Sequence, residues 1–156
     1  MRKQAFLTGL ICLLSLTVSA HPLPTPPEYM QITAQRGDGI YALLRRYELD
    51  QHSCNFSQFY KLNKLKKNAP LIEGKTYFLP IMQYTFNGKT IRSTIGTEDW
   101  DLAVSIQEYN ERMLKNGLRQ KAFQKNLELW VPYHYLNCGN ADLAIEAPKP
   151  IADTNF

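Results

Sequence analysis

Between Gln35 and Pro80 the sequence sets turn residues and apolar spacings in an order that few small folds can use. Gln35-Arg36-Gly37-Asp38-Gly39 predicts a turn, because glycine reaches backbone conformations closed to other residues. Ile40, Leu43, Leu44 and Tyr47 then recur at i, i+3, i+4 and i+7, the period of an amphipathic helix of about two turns. Asp38 is placed to cap that helix through the open N–H groups of its first turn, and Arg45, Arg46 and Glu48 are expected to face outward. A second helix is expected from Cys54-Asn55-Phe56-Ser57, with Asn55 as its cap and Phe56, Phe59, Tyr60 and Leu62 as its buried face, ending at Asn63. Ile72-Glu73-Gly74-Lys75 predicts another glycine turn, and Thr76 to Ile81 is rich in β-formers. With a short strand over Tyr29 to Thr33, the order is strand, helix, helix, strand.

Gly-Asp, a helix ending in Asn, Ile-x-x-Gly and Leu79-Pro80, in that order and over about fifty residues, resemble the LysM module. The resemblance implies a small βααβ domain that binds N-acetylglucosamine-containing glycans, chiefly peptidoglycan and chitin. It also implies where the groove lies. One wall is the first strand–helix turn (Gly37, Asp38, Gly39, Ile40 and Tyr41), and the other is the loop after the second helix (Asn68, Ala69, Pro70, Leu71 and Ile72). Backbone N–H and C=O groups there would meet the acetamido groups over an apolar floor. Asn63, on the same resemblance, pins the loop that follows it. Gly39-Ile40 departs from the Thr or Ser that many members carry after Gly-Asp. Each position also has a plain structural role open to it: Asp38 as a cap, Ile40 as core, Pro70 as a loop stiffener.

Landmarks recur about fifty residues later, which suggests an internal repeat. Tyr84-Thr85-Phe86 reads as a strand, Asn87-Gly88-Lys89 as a turn, and Thr90 to Ile95 as a short helix stopped by Gly96. Thr97 or Asp99 can cap a longer helix over Trp100 to Leu114, with Leu102, Val104, Ile106, Tyr109 and Met113 as its apolar set. Tyr109-Asn110 repeats Leu62-Asn63. In a strand over Leu127 to Tyr133, Trp130-Val131-Pro132 repeats Phe78-Leu79-Pro80. The second copy lacks Gly-Asp and Ile-x-x-Gly, and its loop from Asn116 to Asn126 is longer and basic. The expected fold is therefore α+β: two small βααβ LysM-like units in tandem, residues 29–82 and a divergent 83–138, packed as one body. An unrelated α+β appendage completing the first core is the alternative reading of the second half.

The first twenty residues have the layout of a secretory signal peptide. Arg2 and Lys3 precede an uncharged apolar run from Phe6 to Val18, which is short of the roughly 20 residues needed to span a membrane, and Val18-Ser19-Ala20 is a small-residue cleavage site. Pro22, Pro24, Pro26 and Pro27 make residues 21–28 a stiff leader. Cys12 would leave with the signal peptide, so Cys54 and Cys138 are the cysteines of the mature chain. Two cysteines in an exported protein, one in each half, read as a disulfide that would lock the copies together. The other role for Cys54 is a nucleophile at a helix start near His52, although no catalytic motif surrounds it. Residues 139–156, with Pro148 and Pro150, read as a flexible tail or linker. The chain resembles the glycan-binding part found ahead of N-acetylmuramoyl-L-alanine amidase domains in bacterial cell-wall hydrolases.

No catalytic set, metal-ligand spacing or cofactor motif stands out. His21, His52 and His134 are few and scattered, with no His-Glu-x-x-His and no Gly-x-Ser-x-Gly. Asp99, Asp101, Glu108 and Glu111 fit ordinary dipole complementation and an exposed helix face, and His134 fits a surface or packing residue at a strand end. Loss of Arg2 and Lys3 lowers the formal charge from +4 to about +2, too little to suggest nucleic acid. Lys61, Lys64, Lys66 and Lys67 read as the solvated end of a helix, with a slight preference for anionic surfaces. Trp130, Tyr133 and Tyr135 can stack on sugar rings or fill the core. The expected partners are peptidoglycan or another N-acetylglucosamine polymer and a cell-wall hydrolase, with no membrane span after cleavage. A protein–protein adapter of the envelope is the alternative that needs no glycan.

Overall fold

A computed structural model describes residues 26–138; the signal-peptide and tail assignments, and the leader up to residue 25, lie outside them. The described chain is mixed α+β. A three-stranded antiparallel sheet in the order β1-β2-β3 is built from β1 (Glu28–Thr33), β2 (Thr76–Thr85) and β3 (Glu128–Pro132). Helices α1 (Ile40–Arg46) and α2 (Ser53–Asn63) connect β1 to β2. Between β2 and β3 come α3 (Ile91–Ile95), α4 (Trp100–Lys115) and the short α5 (Phe123–Asn126), and α6 (Tyr133–Asn137) follows β3. No helix among the described residues is long and apolar enough to cross a membrane.

The two strands expected over residues 76–81 and 84–86 are one continuous strand. β1 pairs with β2 from Thr76 to Gln83, and β3 pairs with it from Ile81 to Thr85. The boundary expected at residues 82/83 therefore falls inside β2. Tyr77, Leu79 and Ile81 enter one core with Leu43, Leu44 and Phe59. Met82 enters a second core with Ile91, Ala103, Ile106, Leu129 and Val131. Strand side chains alternate between faces, so a strand buried on both sides carries few polar residues. That is why Leu79-Pro80-Ile81-Met82, buried throughout, is an unbroken apolar run; Phe78 before it stays exposed.

Each half closes by the same contact. Phe78 faces β1 across Gln31, and its N–H and C=O are both taken by the carboxamide of Asn63: Phe78 N–H donates to Oδ1 at 2.8 Å, and Nδ2 donates to Phe78 C=O at 2.8 Å. Nδ2 also donates to Phe59 C=O, one turn back in α2. Asn110 repeats this at Trp130: Trp130 N–H donates to Oδ1 at 3.1 Å, and Nδ2 donates to Trp130 C=O and to Ile106 C=O, each at 2.8 Å. Asn63 thus pins the closing strand rather than the loop after its helix. A primary amide presents one donor edge and one acceptor edge, as a neighbouring strand would, so it satisfies strand groups that have no ladder partner.

Several local expectations give way to tertiary contacts. Asp38 caps no helix: Gly39 is the N-cap without a side-chain bond, while the Asp38 carboxylate accepts from Gln35 N–H and pairs with Arg46. Arg46 is accordingly half-buried rather than outward-facing, and Glu48 pairs with Arg112 of α4 at 2.9 Å. α2 starts at Ser53, so Asn55 is not its cap; it lies within the first turn, fully buried, and donates to Leu49 C=O. In α4 it is Ala103, not Leu102 or Val104, that joins Ile106, Tyr109 and Met113 inside, and Asp99 supplies the cap. β3 stops at Pro132, and Tyr133 opens α6, which carries His134.

Arg119, in the basic loop, is buried. It donates to Asn110 Oδ1, Lys121 C=O, Asn126 Oδ1 and Glu128 C=O, and its guanidinium lies 4.6 Å from the Trp130 ring centroid. It folds the loop onto the second clamp. Cys54 and Cys138 form a disulfide across 84 residues, joining the start of α2 to the end of α6.

Asn110→Ala should lower unfolding free energy by about 3 kcal/mol, because Trp130 N–H and C=O and the Arg119 guanidinium lose their partner inside the core. Asn63→Ala, in a more open site, should cost about 1 kcal/mol. Urea denaturation with an unchanged m-value checks both. Reducing the disulfide should remove a further 4–5 kcal/mol or about that, on the loop-entropy scale.

Candidate functional site

The sheet register brings the two expected groove walls together. Thr33 pairs with Thr76, so the turn after β1 and the loop before β2 emerge at the same end of the sheet. Ala34 N–H donates to Lys75 C=O at 2.9 Å, and Gly74 N–H donates to Ala34 C=O at 2.8 Å, which ties loop to turn. Tyr77 Oη accepts from Ile72 N–H at 2.9 Å, and Tyr60 Oη lies 3.4 Å from Asn68 N. Two buried or half-buried tyrosines thus shape the loop from beneath, and Gly37 takes the left-handed conformation its turn requires.

The ten expected site residues do not all face that groove. Ile40 is core, and Leu71 packs against the same core. The Asp38 side chain is consumed by Gln35 and Arg46, whose hydrogen bonds and charge hold its carboxyl below its ordinary pKa. Tyr41 stacks on Phe56 with ring centroids 5.7 Å apart and lies under the Arg45 guanidinium, so it lines a different cleft. Ala69 is half-buried. Gly37, Gly39, Asn68, Pro70 and Ile72 remain exposed, and Ile72 is 60% so.

The corresponding place in the second half holds a cleft of about 280 Å³. Phe86 N–H donates to Leu127 C=O at 2.8 Å, the counterpart of the Ala34–Lys75 bond. Gly88-Lys89-Thr90-Ile91 stands where Gly37-Asp38-Gly39-Ile40 stands in the first half. Both leading glycines have positive φ, and both isoleucines are buried first residues of a helix. Here Thr90 does cap its helix, accepting from Ser93 N–H. Phe86 and Phe123, edge to face at 5.0 Å, join Ile91 and Ala103 on the apolar side; Lys89, Gln107 and Gln124 supply polar groups. Trp100 stands at the start of α4 with 65% of its surface exposed and the Arg92 guanidinium 5.2 Å from its ring centroid. The Gly-Lys-Thr-Ile signal was present in the sequence. The exposure of Trp100 had no signal, because helix periodicity alone does not say which edge of an apolar stripe meets solvent. Trp130 is core, and Tyr135 packs half-buried, edge-on to Tyr109.

A third cleft lies where α6 meets α1 and α2, lined by Tyr41, Arg45, Asp50, His52, His134 and Tyr135 among others. The His52 and His134 rings stack with centroids 3.9 Å apart, and Asn55 Nδ2 lies 3.0 Å from His134 Nδ1. Burial, and secondarily His52, lower the His134 pKa to about 4. Two parallel imidazoles at van der Waals separation do not converge on one ion, and no group of three metal-binding side chains occurs among the described residues. The disulfide removes Cys54 as a nucleophile beside His52.

Comparison of the chain with family models, with curated proteins and with solved structures returned no match.

Because folding depresses the His134 pKa from about 6.5 to about 4, the unfolded chain binds the extra proton between those values. Stability should fall as pH drops from about 6.5 to about 4 and lose this dependence below that. His134→Gln should flatten that part of the profile in pH-resolved thermal melts.

Proposed function

We propose that the protein is exported and binds N-acetylglucosamine-containing glycan, chiefly peptidoglycan, without catalysis of its own. In this reading the chain comprises two LysM-like βααβ units, the second divergent. They are β1-α1-α2-β2 and β2-α3-α4-β3, sharing the strand between them. The observation that carries it is the twofold recurrence of one arrangement: a glycine turn leading into a helix, a second helix whose Asn clamps the next strand, and a turn–loop recess at the strand end.

The chemistry of the second recess suits the ligand. A pyranose ring presents an apolar face of C–H groups and a rim of hydroxyl and acetamido groups. An exposed indole beside Phe86, Ile91 and Phe123 offers the first a surface, while Gln107, Gln124 and Lys89 can exchange hydrogen bonds with the second. The turn and loop of the first half expose Gly39, Pro70 and Ile72. Lys61, Lys64, Lys66 and Lys67, all exposed on α2 and the loop after it, favour a glycan that carries carboxylates, as peptidoglycan stems do. The disulfide is in keeping with an oxidising compartment outside the cytoplasm. Binding at the wall would hold the protein, or a cell-wall hydrolase associated with it, against its substrate.

The mature protein should sediment with purified, protein-free peptidoglycan. Trp100→Ala should weaken retention about tenfold, the loss of one good aromatic contact of roughly 1–1.5 kcal/mol. Gly39→Trp should weaken it as well, with its far-UV circular dichroism and melting temperature unchanged, because Gly39 is exposed, has open space where a Cβ would stand and has no positive φ. Wild-type protein that stays in the supernatant at physiological salt would remove this reading and leave an envelope protein contact as the function to look for.

A further inference from the structure

We infer that the two recesses hold two separate glycan chains, so that the protein bridges strands of the wall instead of lying along one. This rests on the glycan-binding reading above and adds its geometry. The first recess sits at the sheet end marked by Thr33 and Thr76, and the second at the end marked by Thr85 and Glu128. Both ends belong to β2, which runs ten residues from Thr76 to Thr85. At about 3.3 Å per residue the strand separates the recesses by up to roughly 30 Å.

That spacing is fixed. A tandem array on a linker could fold back and place both sites on one chain, with the effective concentration its linker allows. Here no linker exists, because the last strand of the first half and the first strand of the second are the same strand. Three contacts across the halves hold the arrangement: Tyr109 Oη donates to Tyr47 C=O at 3.0 Å, Arg112 pairs with Glu48, and the disulfide ties α2 to α6. The two recesses also open from turns that leave the sheet in opposite directions, since β1 and β2 are antiparallel and each turn follows its own strand. The two recesses therefore lie at opposite ends of the sheet. A polymer would have to wrap the length of the sheet to fill both, whereas two chains fill them without bending.

The recesses differ in lining, so each can be closed alone. Trp100→Ala removes an exposed side chain from the second, and Gly39→Trp adds one to the first at an exposed position where a Cβ has open space. Peptidoglycan fragments labelled with two different fluorophores would be mixed with protein and scored for particles carrying both labels, with total bound label measured in parallel. Wild type should produce dual-labelled particles. Each single variant should keep part of its binding and lose at least tenfold of the dual label. An equimolar mixture of the two variants should stay as low as either alone. Wild type that binds both labels without pairing them overturns the bridging inference and leaves the glycan-binding reading intact. Pairing restored by the mixed variants also overturns it, because self-association would then be the bridge. Wild type that binds neither label overturns the function and the inference together.

Discussion

A carboxamide laid against the open edge of a strand holds each half of this protein closed. Asn63 and Asn110 use the same three bonds: one to the carbonyl a turn back in their own helix, and two to the N–H and C=O of a strand residue. The helix bond fixes the side chain, and the fixed side chain then fixes how far along the strand the helix sits. A buried strand edge with unpaired backbone groups is costly, and a third neighbouring strand would be the usual remedy. Here a helix side chain replaces it, from the last residue of α2 in the first half and from within α4 in the second.

The clamp also sets the recesses. It fixes the second helix against a defined point on the strand, so the loop between them must turn back over the strand's start, beside the turn from the preceding strand. In the first half that loop, residues 64–75, rests on Tyr60 and Tyr77. In the second it spans residues 116–127, the same length and not the longer one the sequence suggested, and a buried arginine gathers it. Arg119 bonds the clamp Asn110, Lys121 C=O and Asn126 Oδ1 of the loop, and Glu128 C=O at the start of β3, while covering Trp130. Helix α5, within that loop, brings Phe123 to the second recess.

Burial of β2 on both faces makes the halves inseparable. Neither has a complete sheet without it, and Tyr109 and Met113 of α4 lie in the same core as Leu43, Leu44 and Phe59. α6 seals one end through the disulfide and the stacked His52–His134 pair, placing a neutral imidazole in a site that resists protonation until about pH 4.

Local sequence patterns carried most of the elements and a set of recurring landmarks. Helix periodicity located α1, α2 and α4, the Gly74 turn located the start of β2, and the pairs Leu62-Asn63/Tyr109-Asn110 and Phe78-Leu79-Pro80/Trp130-Val131-Pro132 stood out as recurring landmarks, although the strand contact that joins them was not legible. These signals are local, since each arises from the backbone's own steric and hydrogen-bonding rules. Tertiary structure alone decided what the polar residues do. Asp38 and Asn55 have good capping chemistry, yet a guanidinium from α1 takes the first and a buried carbonyl at Leu49 takes the second, because a partner in the interior outweighs a solvent-exposed cap. It also decided that residues 76–85 form one strand with two neighbours, that Arg119 goes inside, and that Trp100 stays out. Those outcomes depend on which chain segments meet across more than fifty residues, and no local pattern encodes that.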